Sequence, residues 1–365
     1  MSGKLLDRLA LRTLHKLDAE TAHNLTIKAL SAGLVPASQR KPDSALAASV
    51  CGLDFPNPLA VAAGFDKNAQ VPDALLKLGL GFAEVGTVTP RPQSGNPRPR
   101  VFRLPEDNAV INRFGFNNVG REQVHERLLR RLDRAGIVGV NVGANKESKD
   151  KVADYVSGIH FFADVASYFT VNISSPNTAG LREMQDKDML NALLSSVIIA
   201  RDEMTRHYGR KVPVFLKIAP DLDDQQLSDI CREVQMNMVD GLIVSNSTTS
   251  RDGLKNTKSG KQSGGLSGRP LFRRSTMVLA KARSIVGADF PIIGVGGIDS
   301  GETAWTKITA GANLLQLYTG LTYCGLGLID EILDYLAAKV KDQGLSNLQE
   351  AVGRNVEDWA SGELV

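Results

Sequence analysis

The stretch Phe169-Thr-Val-Asn-Ile-Ser-Ser-Pro-Asn-Thr178 decides how the rest of the chain is read. Its apolar, β-branched start reads as a buried strand, which breaks abruptly into small polar residues and a proline. Asn172 interrupts the apolar run, and Ser174, Ser175 and Asn177 follow at its C-terminal edge. In parallel α/β folds that edge is where ligands bind and reacting groups sit. Other predicted strands end in the same manner, at Lys67, Asn141, Lys217, Asn246 and Gly296-Gly297. These ends are expected to converge on one site.

Outward from this stretch, apolar runs alternate with amphipathic ones. The predicted strands are Leu59–Gly64, Phe82–Thr87, Ile137–Gly143, Phe169–Ile173, Val214–Ala219, Gly241–Ser245, Ile292–Gly296 and Leu314–Tyr318. The predicted helices are Val71–Leu78, Arg121–Leu132, Val152–Ala166, Met189–Tyr208, Asp224–Met236, Leu271–Ile285, Glu302–Ala310 and Gly327–Lys341. Strands that each feed a helix in this number predict a (β/α)₈ TIM barrel. A chain of 365 residues with 42% hydrophobic content can fill one such domain. We assign residues 41–365 to the barrel and 1–40 to an N-terminal helical extension. Ala47–Phe55 reads as a short hairpin covering the barrel's bottom. Two spacers, Pro90–Gly120 and Asn246–Pro270, exceed ordinary loop length and leave strand C-termini, which predicts a functional lid or wall.

The formal charge of +3 is concentrated at the N-terminus. Lys4, Arg8, Arg12, Lys16, Lys28 and Arg40 there outweigh Asp7, Asp18 and Glu20, so the remainder is close to neutral. A broad nucleic-acid surface is therefore not expected. Leu5, Leu6, Leu9, Ala10 and Leu17 recur near helical spacing. A second helix is predicted after Asp18, its N-cap, carrying Ala22, Leu25, Ile27 and Leu30. Neither segment has the roughly 18 consecutive apolar residues of a membrane span. The same amphipathic pattern fits a hairpin packed on its own domain or a monotopic membrane element, because both bury one face. Cys51, Cys231 and Cys324 form no metal or CxxC pattern and read as core or near-core thiols in a reducing compartment.

The seventh predicted strand runs Pro-Ile-Ile-Gly-Val-Gly-Gly-Ile-Asp-Ser300, and the eighth ends Gln-Leu-Tyr-Thr-Gly320. Gly296 and Gly297 let backbone approach a ligand without a Cβ in the way. Barrels commonly hold a phosphate between the loops after strands seven and eight. Gly264-Gly-Leu-Ser-Gly268 is a third contributor. Neither a G-x-G-x-x-G turn nor a G-x-x-x-x-G-K-[ST] loop is present, so dinucleotide and nucleoside-triphosphate binding are poorly supported.

Lys217 lies in Val-Phe-Leu-Lys-Ile-Ala219, where burial is costly unless an anion or acceptors meet it. Its functional reading is a fixed positive charge beside a cofactor that gains negative charge. Asn141 and Asn172 occupy matching places in the third and fourth strands and can both donate and accept. Asn112, Asn117, Asn118, Asn177 and Asn246 suggest an amide-lined pocket for a small polar ring, with Lys67 holding an attached carboxylate. Ser175 is the proton-transfer candidate, with Thr178 or a water as relay. No histidine falls in a strand-end motif and G-x-S-x-G is absent, which disfavours a Ser-His-Asp hydrolase. No cluster has metal-ligand spacing.

At this point the chain resembles dihydroorotate dehydrogenases of class 2, the quinone-linked branch. The motifs are Ala62-Ala-Gly-Phe-Asp-Lys-Asn68, Glu84-Val-Gly-Thr-Val-Thr-Pro90, Asn112-Arg-Phe-Gly-Phe-Asn-Asn118 and Asn172-Ile-Ser-Ser-Pro-Asn-Thr178. They continue with Leu216-Lys-Ile-Ala-Pro-Asp221, Ser245-Asn-Ser-Thr248, Gly264-Gly-Leu-Ser-Gly268, Gly294-Val-Gly-Gly-Ile298 and, near the start, Leu17-Asp-Ala-Glu-Thr-Ala-His23. The resemblance implies one FMN per chain and oxidation of (S)-dihydroorotate to orotate in pyrimidine biosynthesis. It implies FMN contacts from Ala63, Gly64, Phe65, Asp66, Lys67, Thr87, Asn141, Asn172, Lys217, Ser245, Gly268, Gly297, Tyr318 and Thr319. It places substrate on Lys67, Asn112, Arg113, Phe114, Gly115, Phe116, Asn172, Asn177, Asn246 and Ser247. Ser175 would be the base, where class 1 relatives carry cysteine.

The implied electron acceptor is a membrane quinone, ubiquinone or menaquinone. A monomer attached peripherally to anionic lipid, on the cytoplasmic face of a bacterial inner membrane, is expected. Phe65 stands where leucine is common, Ser245 and Ser247 where threonines are common, and Ala19 where proline is frequent; bulk or hydroxyl chemistry is kept at the first three. Competing classes are an FMN barrel using fumarate or NAD, a non-redox phosphate-substrate barrel, and a structural or membrane-binding module.

Overall fold

The computed structural model describes residues 11–178, 180–255 and 259–362. Strands β1 (Ala48–Val50) and β2 (Leu53–Phe55) form an antiparallel hairpin. The barrel strands are β3 (Leu59–Asp66), β4 (Phe82–Val88), β7 (Ile137–Val142), β8 (Tyr168–Asn172), β9 (Val214–Ile218), β10 (Gly241–Val244), β12 (Ile292–Val295) and β13 (Leu314–Leu317). They are parallel, neighbour one another in chain order, and close when β13 pairs with β3. Each of the eight predicted strands is present within about two residues of its expected ends.

Alternation along each strand sorts the core into two layers. Leu59 and Val61 face outward to the surrounding helices, whereas Ala60 and Ala62 face the barrel interior. That interior is filled by Phe82, Tyr168, Phe215, Ile243, Ile293 and Leu314, and the hairpin closes its lower end with Ala48, Val50 and Phe55. The Phe55 and Phe82 rings meet edge to face at 5.0 Å. Gly139 makes room for the neighbouring Tyr168 ring, which lies 2.1 Å from where a Cβ would stand.

The two long spacers join in one sheet. From the first come β5 (Val101–Leu104) and β6 (Ala109–Asn112), and from the second β11 (Gly265–Gly268); they pair in the order β11-β6-β5. Register sets Gly265 against Asn112 and Gly268 against Ala109. Leu104, Ala109, Ile111 and Leu266 give this small sheet its own core.

At the N-terminus, residues 11–15 are helical and a second helix spans Ala19–Ser31. Asp18 caps it as predicted, accepting from the Glu20 and Thr21 amides at 3.0 Å. Ile27 and Leu30 join the main core, while Leu25 is exposed. The expectations for Lys4, Leu5, Leu6, Arg8, Leu9 and Ala10 lie outside the described residues. Glu20, given no role of its own by the sequence, is buried against Arg100 at 2.7 Å and Arg98 at 3.0 Å. Of the cysteines, all free, Cys231 is buried and Cys51 half-buried. Cys324 is exposed, contrary to expectation, because it ends a short rim helix, Thr319–Cys324. No helix among the described residues is long and apolar enough to cross a membrane.

Candidate active site

The C-terminal strand ends surround a cavity of about 1040 Å³, open solvent at its mouth included. β3 contributes Ala63 and Gly64 with Lys67 just beyond; β4 contributes Thr87, β8 contributes Asn172, and Ser175 follows it. Lys217 comes from β9 and Ser245, Asn246 and Ser247 from the turn after β10. Gly296 and Gly297 follow β12; Tyr318, Thr319 and Gly320 follow β13. The lid sheet and its flank add Asn112, Phe114, Gly115, Phe116, Ser267 and Gly268. Lys67, Ser175 and Lys217, far apart in sequence, therefore share one cavity.

Below the rim, a carboxylate that sequence reasoning passed over sets the direction of a polar network. Glu84 is fully buried and accepts from Asn141 Nδ2 at 2.8 Å, Tyr168 Oη at 2.9 Å, Thr170 Oγ1 at 3.1 Å and Gln316 Nε2 at 2.6 Å. A carboxylate accepts only, so Asn141 must turn its amide nitrogen down and its Oδ1 up. That oxygen receives Thr87 Oγ1 at 2.6 Å, and Thr87 accepts in turn from Asn172 Nδ2 at 2.9 Å. Asn141 thus orients two cavity residues without lining the cavity itself. The signal for Glu84 was in the sequence: a charged residue in a run otherwise fit for a central strand, the argument applied to Lys217.

Lys217 is buried beside Asn172, its register partner across β8 and β9. Its ammonium faces the cavity and has no hydrogen-bond acceptor among the described residues. Burial lowers its pKa, opposed by the charge of Glu84. Lys67 donates to the Gly64 carbonyl at 2.6 Å and lies 4.2 Å from the Phe114 ring centre. Desolvation takes it down to about 8, against the pull of Glu20. Ser175 is buried and its Oγ accepts from the Asn177 amide at 3.2 Å. Thr178 Oγ1, three residues on, is buried without a partner and makes no bond to Ser175.

The amide cluster divides. Asn112 and Asn177 line the cavity and are tied together, Asn177 Nδ2 donating to the Asn112 carbonyl at 3.2 Å. Asn246 donates to Ser174 Oγ at 2.9 Å. Asn117 and Asn118 do not line the cavity; Asn118 braces the spacer through Thr89 and the Phe116 carbonyl. Arg113 also turns away, bonding Gln262 at 3.0 Å and stacking on Phe102. Phe65 and Asp66 lie behind the rim. Phe65 packs on Tyr318, and Asp66 accepts from the Gln70 and Val71 amides at 2.8 and 2.7 Å, holding the turn that presents Lys67.

A closed parallel barrel whose mouth gathers a glycine cradle, a buried lysine with no protein acceptor among the described residues and a ring of amides defines a (β/α)₈ enzyme with a pocket suited to an anionic ligand. The family profile of dihydroorotate dehydrogenase matches residues 45–340. The protein called dihydroorotate dehydrogenase (quinone) in Brucella ovis is 58% identical over 365 residues, covering 100% of both chains, and its Brucella melitensis counterpart is 58% identical over the same span. The crystal structure of Eimeria tenella DHODH in complex with ferulenol superposes with a TM-score of 0.88 at 36% identity, covering 92% of this chain and 95% of that one. The ligand-free Eimeria structure gives the same TM-score, 0.88, over 93% and 99%. The chain belongs to the dihydroorotate dehydrogenase family.

Proposed function

We propose that the cavity holds FMN and dihydroorotate together, and that the protein oxidises dihydroorotate to orotate with a membrane quinone as final acceptor. The observation that carries this reading is Lys217, a buried cation with no protein acceptor among the described residues, sharing a cavity with Ser175 and the Gly296-Gly297 turn. The residues present fit FMN. Gly297 (φ +74) has Phe272 Cα 2.5 Å from where a Cβ would stand, and Gly268 (φ +97) is as closely packed against Asn108, at 2.3 Å. Both positions admit only glycine, so their backbone reaches the cavity unscreened.

FMN would be held by Ala63, Gly64, Thr87, Asn172, Lys217, Ser245, Gly268, Gly297, Tyr318 and Thr319, with Lys67 at the boundary to substrate. Phe65, Asp66 and Asn141 support those contacts from behind. When bound, FMN supplies the two-electron acceptor. Lys217 places a fixed positive charge where negative charge develops, in a pocket where it acts more strongly than in water. Asn112, Asn172, Asn177, Asn246 and Ser247 hold the pyrimidine ring, Lys67 its carboxylate, and Phe114, Gly115 and Phe116 close over it. Ser175 Oγ takes the C5 proton as its own hydroxyl proton passes to a relay, a water or Thr178 Oγ1, and the Asn177 amide donating to Oγ favours the alkoxide character that this transfer needs.

Residues 1–40 form the quinone-access and membrane-facing segment of this monomer, a peripheral protein of the inner membrane's cytoplasmic face. Leu17, Leu25 and Leu34 are exposed there, beside Arg12, Lys16 and Lys28. A groove under the segment is lined by Leu17, Ala19, Val101, Arg103, Pro105 and Tyr323. Arg103 fastens it by donating to the Leu14, His15 and Leu17 carbonyls. His23, taken down to about 3 by burial, is neutral and meets Tyr318 Oη at 3.2 Å, one wall of the cavity. Rapid anaerobic mixing tests the assignment of the base. Ser175→Ala should slow flavin bleaching by dihydroorotate by about 10²–10⁴-fold, and a near-normal rate rejects it.

A further inference from the structure

Lys307 has none of the roles assigned above. It lies in the helix Gly301–Thr309, where a lysine is ordinarily solvated, yet it is fully buried. Its ammonium donates to Ser275 Oγ at 2.7 Å and lies 5.4 Å from the centre of the Phe272 ring. No carboxylate pairs with it among the described residues. Such a group brings three donors and a charge that its surroundings leave largely unanswered.

Ser275 connects it to the cavity. The serine oxygen stands 3.1 Å from both the Gly296 and the Phe272 carbonyl oxygens. Since the lysine donates to that oxygen, the serine's own proton is available for a carbonyl. The Gly296–Gly297 peptide is trans, so fixing its carbonyl against Ser275 sends the Gly297 N–H to the opposite side. That N–H has no acceptor among the described residues, and Gly297 lines the cavity.

We propose that Lys307 is a positioning residue for the cofactor's phosphate. Through Ser275 it orients the Gly296–Gly297 peptide toward the phosphate, and its charge answers the phosphate from behind the glycine turn. This rests on the reading that the turn after β12 takes the FMN phosphate. Burial pushes Lys307 well below the ordinary lysine range, so the bound phosphate must restore its charge.

The test titrates flavin-stripped, full-length protein with FMN and with riboflavin, which lacks the phosphate. Lys307→Met should shrink the preference for FMN by about tenfold or more while riboflavin affinity stays within about twofold. An unchanged ratio of the two affinities overturns the proposal, including the case where both fall together. Should Lys307→Met fail to fold, Ser275→Ala decides: a severalfold smaller preference supports the relay, and an unchanged one overturns it. A wild-type protein that binds riboflavin as tightly as FMN instead strikes down the phosphate reading itself.

Discussion

The barrel mouth and the N-terminal segment leave opposite kinds of group without a partner. At the mouth the unanswered groups are polar and buried: Lys217 in the cavity wall and Thr178 Oγ1 beside the Ser175 turn. On the segment they are apolar and exposed: Leu17, Leu25 and Leu34. Burying an unpaired polar group costs roughly 1–3 kcal/mol or more, so the first set argues for a polar ligand that completes the mouth. Exposed leucines on a basic segment cost little in the isolated protein and are answered by a lipid surface. The difference assigns a small anionic ligand to one region and an apolar phase to the other, with Glu20 and Arg100 between them.

Breaking the mouth should have the largest effect. Lys217→Met removes the fixed charge, and stopped-flow flavin reduction should slow by about 10²–10³-fold, as when one preorganised donor is lost; a change below threefold would separate Lys217 from the chemistry. Next comes Lys67, charged below about 8 and neutral above it. Its hold on a carboxylate is therefore present at lower pH and lost as pH rises through that value. Equilibrium binding of orotate should weaken by about tenfold between pH 7 and pH 9, and Lys67→Met should abolish that dependence.

The link between the regions ranks third. Burial alone would raise the Glu20 carboxyl, but hydrogen bonds and charge from Arg100, then Arg98, take it below its ordinary value. A depressed carboxylate contributes stability above its unfolded pKa of about 4.3 and loses that contribution as pH falls through the folded value. Hydrogen exchange in Ala19–Ser31 should speed up first on acidification below about pH 4. Glu20→Gln should show the fast exchange already at pH 7. The smallest effect on the protein itself belongs to Leu25→Ser with Leu34→Ser: melting should shift by no more than about 0.5 kcal/mol per site. Partition onto anionic liposomes should fall severalfold, and unchanged partition removes these leucines from the membrane contact.

Much of this comparison was legible before any coordinates. Each barrel strand announced itself by an apolar run ending in a polar or glycine residue, because a parallel strand is buried on both faces until the rim. Lys217 and Ser175 stood out for the same reason. The lid sheet did not, since Ala109–Asn112 pairs with Gly265–Gly268 across some 150 residues and the second partner is too glycine-rich to read as a strand. Lys307 was hidden by its helix, where periodicity cannot tell a solvated lysine from one turned inward. Asn118 was drawn into the site by its place in the amide cluster and Arg113 by the family resemblance; Asn118 instead bonds Thr89 and the Phe116 carbonyl, and Arg113 ties the first spacer to the second through Pro99 and Gln262.

The central claim is that one cavity at the barrel mouth holds a flavin in redox contact with dihydroorotate. Its most direct test is the absorbance of the purified full-length protein under anaerobic titration with dihydroorotate. We predict a yellow protein with one FMN per chain that bleaches fully as dihydroorotate is added and recovers its colour with quinone. A colourless protein, or a flavin that dihydroorotate leaves oxidised, would contradict the account.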